Sequence, residues 1–361
     1  MDTINSYVSK GFFDEFIKSK PESILDDDFK SWLNLYRFFH KRKTSLKLGE
    51  SEESLGIKVK TDEMFRVLMM DYVGNEKSNI IFENLDDDKE KMKEEMNKHP
   101  FQFFFTSSQE NIDDSIIKGG FPVYNSSNSL VLSSKFSNLE SLPVSKNKKT
   151  TTLTNWRELT EKLLPFHTLT IVDNYLFSSE WAIRNSTMPL IRSIAQSVQI
   201  DTCFYLSLFF CEEEMKEKKD GKSISVLDKN GKKIYQNNID DIYDKVRSEL
   251  IDVFKDANKF KLSIIRLNKS SDFHDRVIFT NSQFMTSGNS FSSYFKGFSG
   301  VNLLSPTILT IFPLIGETQK GIWGEIAFEI LAYLHSLLES TNKPTIVGEP
   351  LENNKLLKQF Y

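Results

Sequence analysis

The chain has 361 residues, 39% hydrophobic and 27% charged, which suits one large or two ordinary domains and excludes a disordered or fibrous chain. A net charge of −4 excludes a global attraction to nucleic acid or to an anionic membrane, so any polyanion site must be a local patch. Two cysteines exclude a disulfide framework, and no uncharged apolar run reaches the ~18 residues of a membrane span.

In chain order, residues 1–45 read as helical. Phe12, Phe13, Phe16 and Ile17 follow the three-and-four spacing of one helix face, and Leu33, Tyr36 and Phe39 continue it. Pro21 and the Asp26-Asp27-Asp28 run mark a break and a second start, because carboxylates favour the positive end of a helix. Residues 48–55 read as a polar loop, and 57–73 fit either helix or strand. Residues 86–98 are charge-dense and read as a solvated helix face. Residues 101–106 and 130–132 look like strands, separated by the Gly119-Gly120 turn. The Ser-, Lys- and Thr-rich stretch 141–152 reads as a linker between two domains.

The second half has a clearer rhythm. A helix is expected over 156–164 with Thr154 or Asn155 as its cap, then a strand over 169–172 ending in Asp173-Asn174-Tyr175. Helical spacing over 189–198 precedes a strand over 200–210, on which Cys203 and Cys211 would be structural thiols. Residues 212–235 carry the turn signals Asp220-Gly221 and Asn230-Gly231 and read as an insert. A helix over 239–254, strands over 259–267 and 274–280, and a closing helix over 322–338 follow. This order argues for an α/β layered domain.

Of the five histidines, His40, His99 and His167 show no partner nearby in sequence, and His335 lies in an apolar helix where packing suffices. His274 differs. On a strand it shares a face with Arg276 and Ile278, while Asp275, Val277 and Phe279 face the other way. An imidazole beside a guanidinium suits a bound phosphate: arginine offers a planar fork to two oxygens, and histidine can attack or carry a proton near neutral pH. The following Met285-Thr286-Ser287-Gly288-Asn289-Ser290 run has small polar residues that let amides and hydroxyls approach an anion. The bland alternative has Arg276 paired with a carboxylate such as Asp173.

The ordered set His274, Arg276, Asn281 and Gly288 with Asn289 and Ser290 resembles the phospholipase D superfamily motif of His-x-Lys, a later Asp, and a downstream Gly and Ser or Asn. The resemblance is closer to the phospholipase D-like C-terminal domain of MIT-domain proteins, which carries a His-Asp-Arg strand and an earlier strand ending in Asp-x-Tyr. Asp173-Asn174-Tyr175 matches the latter. Related His-Asp-Arg modules occur in bacterial phage-defence proteins. The likeness spans roughly 155–300. Two departures stand out: Arg276 replaces lysine, and Asn281, which carries no charge, replaces the aspartate.

The fold class expected is α/β: the resemblance implies a phospholipase D-like layered sheet domain over 153–345, and the residues before it read as a mixed, mainly helical N-terminal α+β domain over 1–145. The resemblance also implies a bacterial antiviral-defence setting and a metal-independent nuclease or phosphodiesterase using His274, Arg276 and Asn281. Asp173, Tyr175, Ser287, Asn289 and Ser290 would bind substrate. No metal or cofactor is implied. A single motif per chain would need a homodimer that pairs two His274 residues. The alternative is a non-catalytic module binding a phosphorylated ligand, nucleic acid or a partner protein of a defence system. A cytoplasmic location is expected, because residues 1–10 lack a basic-then-apolar signal pattern.

Overall fold

The computed structural model describes residues 4–40, 45–70, 80–82, 99–107, 119–125, 138–146, 151–198, 200–211, 216–219, 222–225, 238–267, 276–295, 302, 306–319, 322–339, 344–354 and 356–357. The chain is a mixed α/β protein with one parallel and one mixed principal sheet.

Strands β1 (Asn5–Val8), β2 (Ser45–Leu48), β3 (Ile80–Phe82), β4 (Gln102–Thr106) and β5 (Val123–Asn125) form a parallel sheet in the order β3-β2-β1-β4-β5. Helices α1 (Phe12–Lys18) and α2 (Asp27–His40) lie between β1 and β2, and α3 (Glu52–Thr61) and α4 (Glu63–Met69) follow β2. The alternation along each strand sets its two faces. Leu46, Leu48, Phe103 and Phe105 join Phe12, Phe13, Phe16 and Phe39 in one aromatic-rich core, while Tyr7 stacks on Phe104 (5.0 Å) on the opposite face. Phenylalanine needs no hydrogen-bond partner when buried, which accounts for its abundance.

This parallel sheet corrects the expectation of a mainly helical N-terminal region. Its strands are three to five residues long, and β1 carries Asn5 and Ser6, both buried. Residues 48–55 are not all loop: Ser51 accepts from Ser54 N and starts α3. The expected helix over 86–98 and strand over 130–132 lie outside the described residues.

The larger sheet has eight strands: β6 (Glu140–Val144), β7 (Thr168–Val172), β8 (Phe204–Cys211), β11 (Phe260–Leu267), β12 (Arg276–Thr280), β13 (Gln283–Ser287), β14 (Thr307–Pro313) and β15 (Thr345–Gly348). Their order is β15-β11-β8-β7-β12-β13-β14-β6. Strands β9 (Lys216–Lys219) and β10 (Lys222–Ser225) form a separate antiparallel hairpin within the expected insert. Helix α5 (Trp156–Thr160) is capped by Asn155 and precedes β7, helix α6 (Met188–Ser197) joins β7 to β8, and α7 (Ile239–Phe254) lies between β8 and β11. Strands β7, β8 and β11 are parallel, whereas β12 runs antiparallel to β7. Residues 141–144, expected in a linker over 141–152, instead belong to the edge strand β6, which pairs with β14.

The two faces of this sheet serve different cores. Ile171, Leu208, Ile264 and Ile278 pack with Leu190, Ile194, Val246 and Leu250 of α6 and α7. Val172, Phe209, Ile265, Val277 and Phe279 join the aromatic core of the first sheet, together with Leu331 and Leu334 of α8 (Trp323–Glu339). Gly120 lies where the two sheets meet. Its φ is +80°, and an added Cβ would stand 2.6 Å from the Phe166 carbonyl carbon, so a larger residue would be strained and crowded there. No helix among the described residues is long and apolar enough to cross a membrane.

Candidate functional site

The carboxyl ends of β7, β8 and β11 share one rim because the three strands are parallel. Ligands of open α/β sheets settle at such rims. Strand β12 runs the opposite way, so its first residue, Arg276, comes to the end of β7. On its other side Arg276 stands opposite Ser287, the last residue of β13.

Asp173 leaves β7 fully buried. Its Oδ1 accepts from Tyr175 N (3.0 Å), and its Oδ2 accepts from Ser290 Oγ (2.7 Å) and Phe291 N (2.7 Å). One carboxyl group thereby ties the β7 exit loop to the turn after β13. Burial pushes its pKa up, against the pull of those three donors and of Arg276.

Ser287 Oγ donates to Asn289 O (2.5 Å), accepts from Asn289 N (3.0 Å), and meets the Tyr294 hydroxyl at 2.5 Å. With the serine proton given to Asn289 O, the Tyr294 O–H is the donor of the last contact. Burial pushes the Tyr294 phenol up to about 12, so it stays protonated for that role.

Arg276 is half-buried. Its guanidinium lies 5.7 Å from the Tyr175 ring centroid, and Nη1 makes one long contact to Gly288 O (3.4 Å). Its Nε is buried with no hydrogen-bond partner among the described residues. Among the described residues no carboxylate lies within ion-pair distance of it, so pairing with Asp173 does not consume the charge. Tyr175 is 50% exposed beside it, and Gly288 is exposed. The arrangement presents a cationic fork on an aromatic ring, next to a turn held in place by a buried carboxylate.

The structure thus brings together Arg276, Asp173, Tyr175, Ser287, Asn289 and Ser290. Asp173 is sealed, and the hydroxyls of Ser287 and Ser290 are engaged internally, so these three shape the site rather than face a ligand. The 285–287 segment belongs to β13 rather than to the expected turn, which begins at Gly288. His274 and Asp275 lie outside the described residues. Alternation along β12 is as expected, with Ile278 in one core and Val277 and Phe279 in the other.

Asn281 stands apart and corrects the expectation that it joins Arg276 in the chemistry. It follows the opposite end of β12, roughly 17 Å along the strand at ~3.3 Å per residue. It is fully buried. Its Oδ1 accepts from His167 N (3.1 Å) within the larger sheet and its Nδ2 donates to Gly120 O (3.0 Å), so the amide ties that sheet to the segment leading into β5.

Residues invisible to the sequence reading support the site from behind. A π-helical turn, Ile183–Thr187, precedes α6, and such turns often mark functional positions. Ser186 Oγ donates to Phe291 O (2.8 Å) and Thr187 Oγ1 donates to Leu176 O (2.5 Å), so adjacent residues grip both loops that Asp173 joins. The available signal was Asn185-Ser186-Thr187 ahead of Pro189, whose missing N–H interrupts an ordinary helical ladder. The chain matches no protein-family model and no curated protein.

Proposed function

We propose that this protein is a phospholipase D-like module that recognises a phosphate group at Arg276. The observation that carries the reading is a guanidinium held at the strand-end rim whose Nε has no hydrogen-bond partner, and which has no carboxylate partner, among the described residues. A buried N–H without a partner costs free energy, and an arriving phosphate oxygen would relieve it. The planar fork can take two oxygens of one phosphate. The Tyr175 ring, 5.7 Å from the guanidinium, adds a cation–π contact on one side of it.

Within this proposal the binding role is preferred to turnover, because Asn281 is committed to the far end of β12 and the Ser287 and Ser290 hydroxyls are committed to the turn. The defence setting, the cytoplasmic location and a homodimer pairing two His274 residues belong to the same proposal.

The test is calorimetric titration of inorganic phosphate and of a dinucleoside phosphodiester into the wild-type chain and Arg276→Ala. Loss of a charge-assisted pair of hydrogen bonds should weaken binding about 10- to 100-fold. Equal binding by the variant would refute the site. Phosphodiester cleavage that is lost in His274→Ala would replace the binding role with the enzymatic one.

A further inference from the structure

The loop that leaves β7 at the proposed phosphate site carries more than Tyr175. From Asp173 it passes through a short helix, Glu180–Ala182, capped by Ser179, and into the π-helical turn. Leu176, Phe177 and Ile183 of this loop are buried, whereas the rings of Tyr175 and Trp181 are 50% and 45% exposed.

The loop that presents these two rings is braced. Asp173 O accepts from Leu176 N (3.1 Å) and Tyr175 O accepts from Ser178 N (3.1 Å). Trp181 O accepts from Asn185 Nδ2 (3.0 Å), and Ser186 and Thr187 hold the far end. Half-exposed rings on a preformed loop can take up a flat partner without the cost of ordering the backbone first.

Cations alternate with the rings. Arg276 lies beside Tyr175. Arg184 is exposed three residues after Trp181, and Glu180 is contacted by both Lys245 Nζ (2.8 Å) and Arg184 Nη2 (3.8 Å), so the three charges leave a net positive one. In a chain of net charge −4 this is a local basic patch.

Alternating rings and cations match the two halves of a single-stranded nucleic acid: bases stack on aromatic rings while cations follow the phosphates. A base inside a duplex is already stacked on its neighbours and is not free to lie on a protein ring. A membrane surface fits less well, because the loop buries the aliphatic side chains that would enter the lipid, and Glu180 is exposed toward solvent.

Resting on the reading of Arg276 as a phosphate site, we infer that the occupant of that site is a single strand of nucleic acid, with a phosphate at Arg276 and bases stacked on Tyr175 and Trp181.

The probes are a labelled oligothymidylate of about eight nucleotides, within the usual range of such sites, and an abasic strand of the same length and charge. Fluorescence anisotropy with the full chain should show the oligothymidylate bound at least about tenfold tighter, as expected for one or two stacked bases. Trp181→Ala should weaken the oligothymidylate about tenfold and leave the abasic strand as in wild type, which separates stacking from misfolding. Tyr175→Phe, which keeps the ring, should retain the preference. Equal affinity for the two strands, or binding of the oligothymidylate as tightly when annealed to its complement, would overturn the inference while the phosphate site stood. Saturable binding of phosphatidylserine vesicles that Trp181→Ala weakens, with no preference between the strands, would overturn it in favour of a membrane surface. Arg276→Ala should weaken both strands alike; if it weakened neither, the phosphate reading itself would fail.

Discussion

Replacing Asp173 with asparagine tests whether one carboxyl group organises the proposed phosphate site. The amide oxygen can still accept from Ser290 Oγ and Phe291 N, which leaves the NH2 facing Tyr175 N–H, a donor against a donor. Losing a hydrogen bond to a charged group costs about 1.5–3 kcal/mol, and the two remaining bonds weaken to the neutral range of about 0.5–1.5 kcal/mol each. Part of this is returned, because burial outweighs the donors and holds the Asp173 pKa up, so the variant no longer carries a poorly solvated charge. The expected net loss is about 2 kcal/mol, read from urea denaturation. The pH dependence has a definite sign. A pKa raised in the folded state means that folding favours the protonated carboxyl. This contribution is fully present below the ordinary value of 3.8 and is lost as pH rises through the higher folded value. The penalty of Asp173→Asn should therefore be larger in acid than at neutrality. A penalty that grows toward neutral pH would mean that Arg276 and the donors outweigh burial, and the account of the site would be refuted. A loss under about 0.5 kcal/mol would show that the turn does not depend on this group.

Three further outcomes follow from the same geometry. Arg276→Lys keeps the charge but loses the fork, so phosphate affinity should fall about tenfold by calorimetry with unfolding little changed. Asn281→Ala should lower stability by about 2–3 kcal/mol through two unpaired buried backbone groups, while phosphate affinity per folded molecule stays at the wild-type level in the same titration. Ser186→Ala with Thr187→Val should weaken phosphate binding and raise amide hydrogen exchange at Leu176 and Phe291. Together they remove the two bonds from the π-helical turn to those loops.

What the sequence made legible was local in origin. Helix α7 was readable because Asn238 caps it and Ile239, Ile242, Val246 and Leu250 repeat on one face. Strand β8 was readable as a continuous apolar run, as expected of a strand with two covered faces. In the first sheet β4 was readable as the strand expected over 101–106, whereas β1, β2, β3 and β5 were hidden because they are three or four residues long and β1 contains buried polar residues such as Ser6. Their strand character comes from pairing partners some forty to a hundred positions distant. In the site, Asp173, Arg276 and Ser290 could be picked from ordered motifs, but not their distinct tasks. That Asp173 would be spent on the turn, and Asn281 on joining the sheets, depends on contacts spanning more than a hundred residues. Ser186 and Tyr294 had no such motif to give them away.

The division of labour between Asp173 and Arg276 shows how a chain of net negative charge could present the proposed anion site. A carboxylate beside an arginine ordinarily pairs with it and cancels its charge. Here the strand order sends Asp173 inward to three donors on the two loops, and among the described residues leaves Arg276 with a long carbonyl contact and an aromatic ring. The acidic group is used to build the turn, and the basic group is left for a ligand. If an incoming phosphate had to displace an Arg276–Asp173 pair, binding would carry the cost of breaking it and would strengthen on acidification as Asp173 took up a proton. With no Arg276–Asp173 pair to break, acidification should strengthen phosphate binding only weakly, through the Coulombic coupling between Arg276 and Asp173, and a steep gain in affinity on acidification would refute this division of tasks.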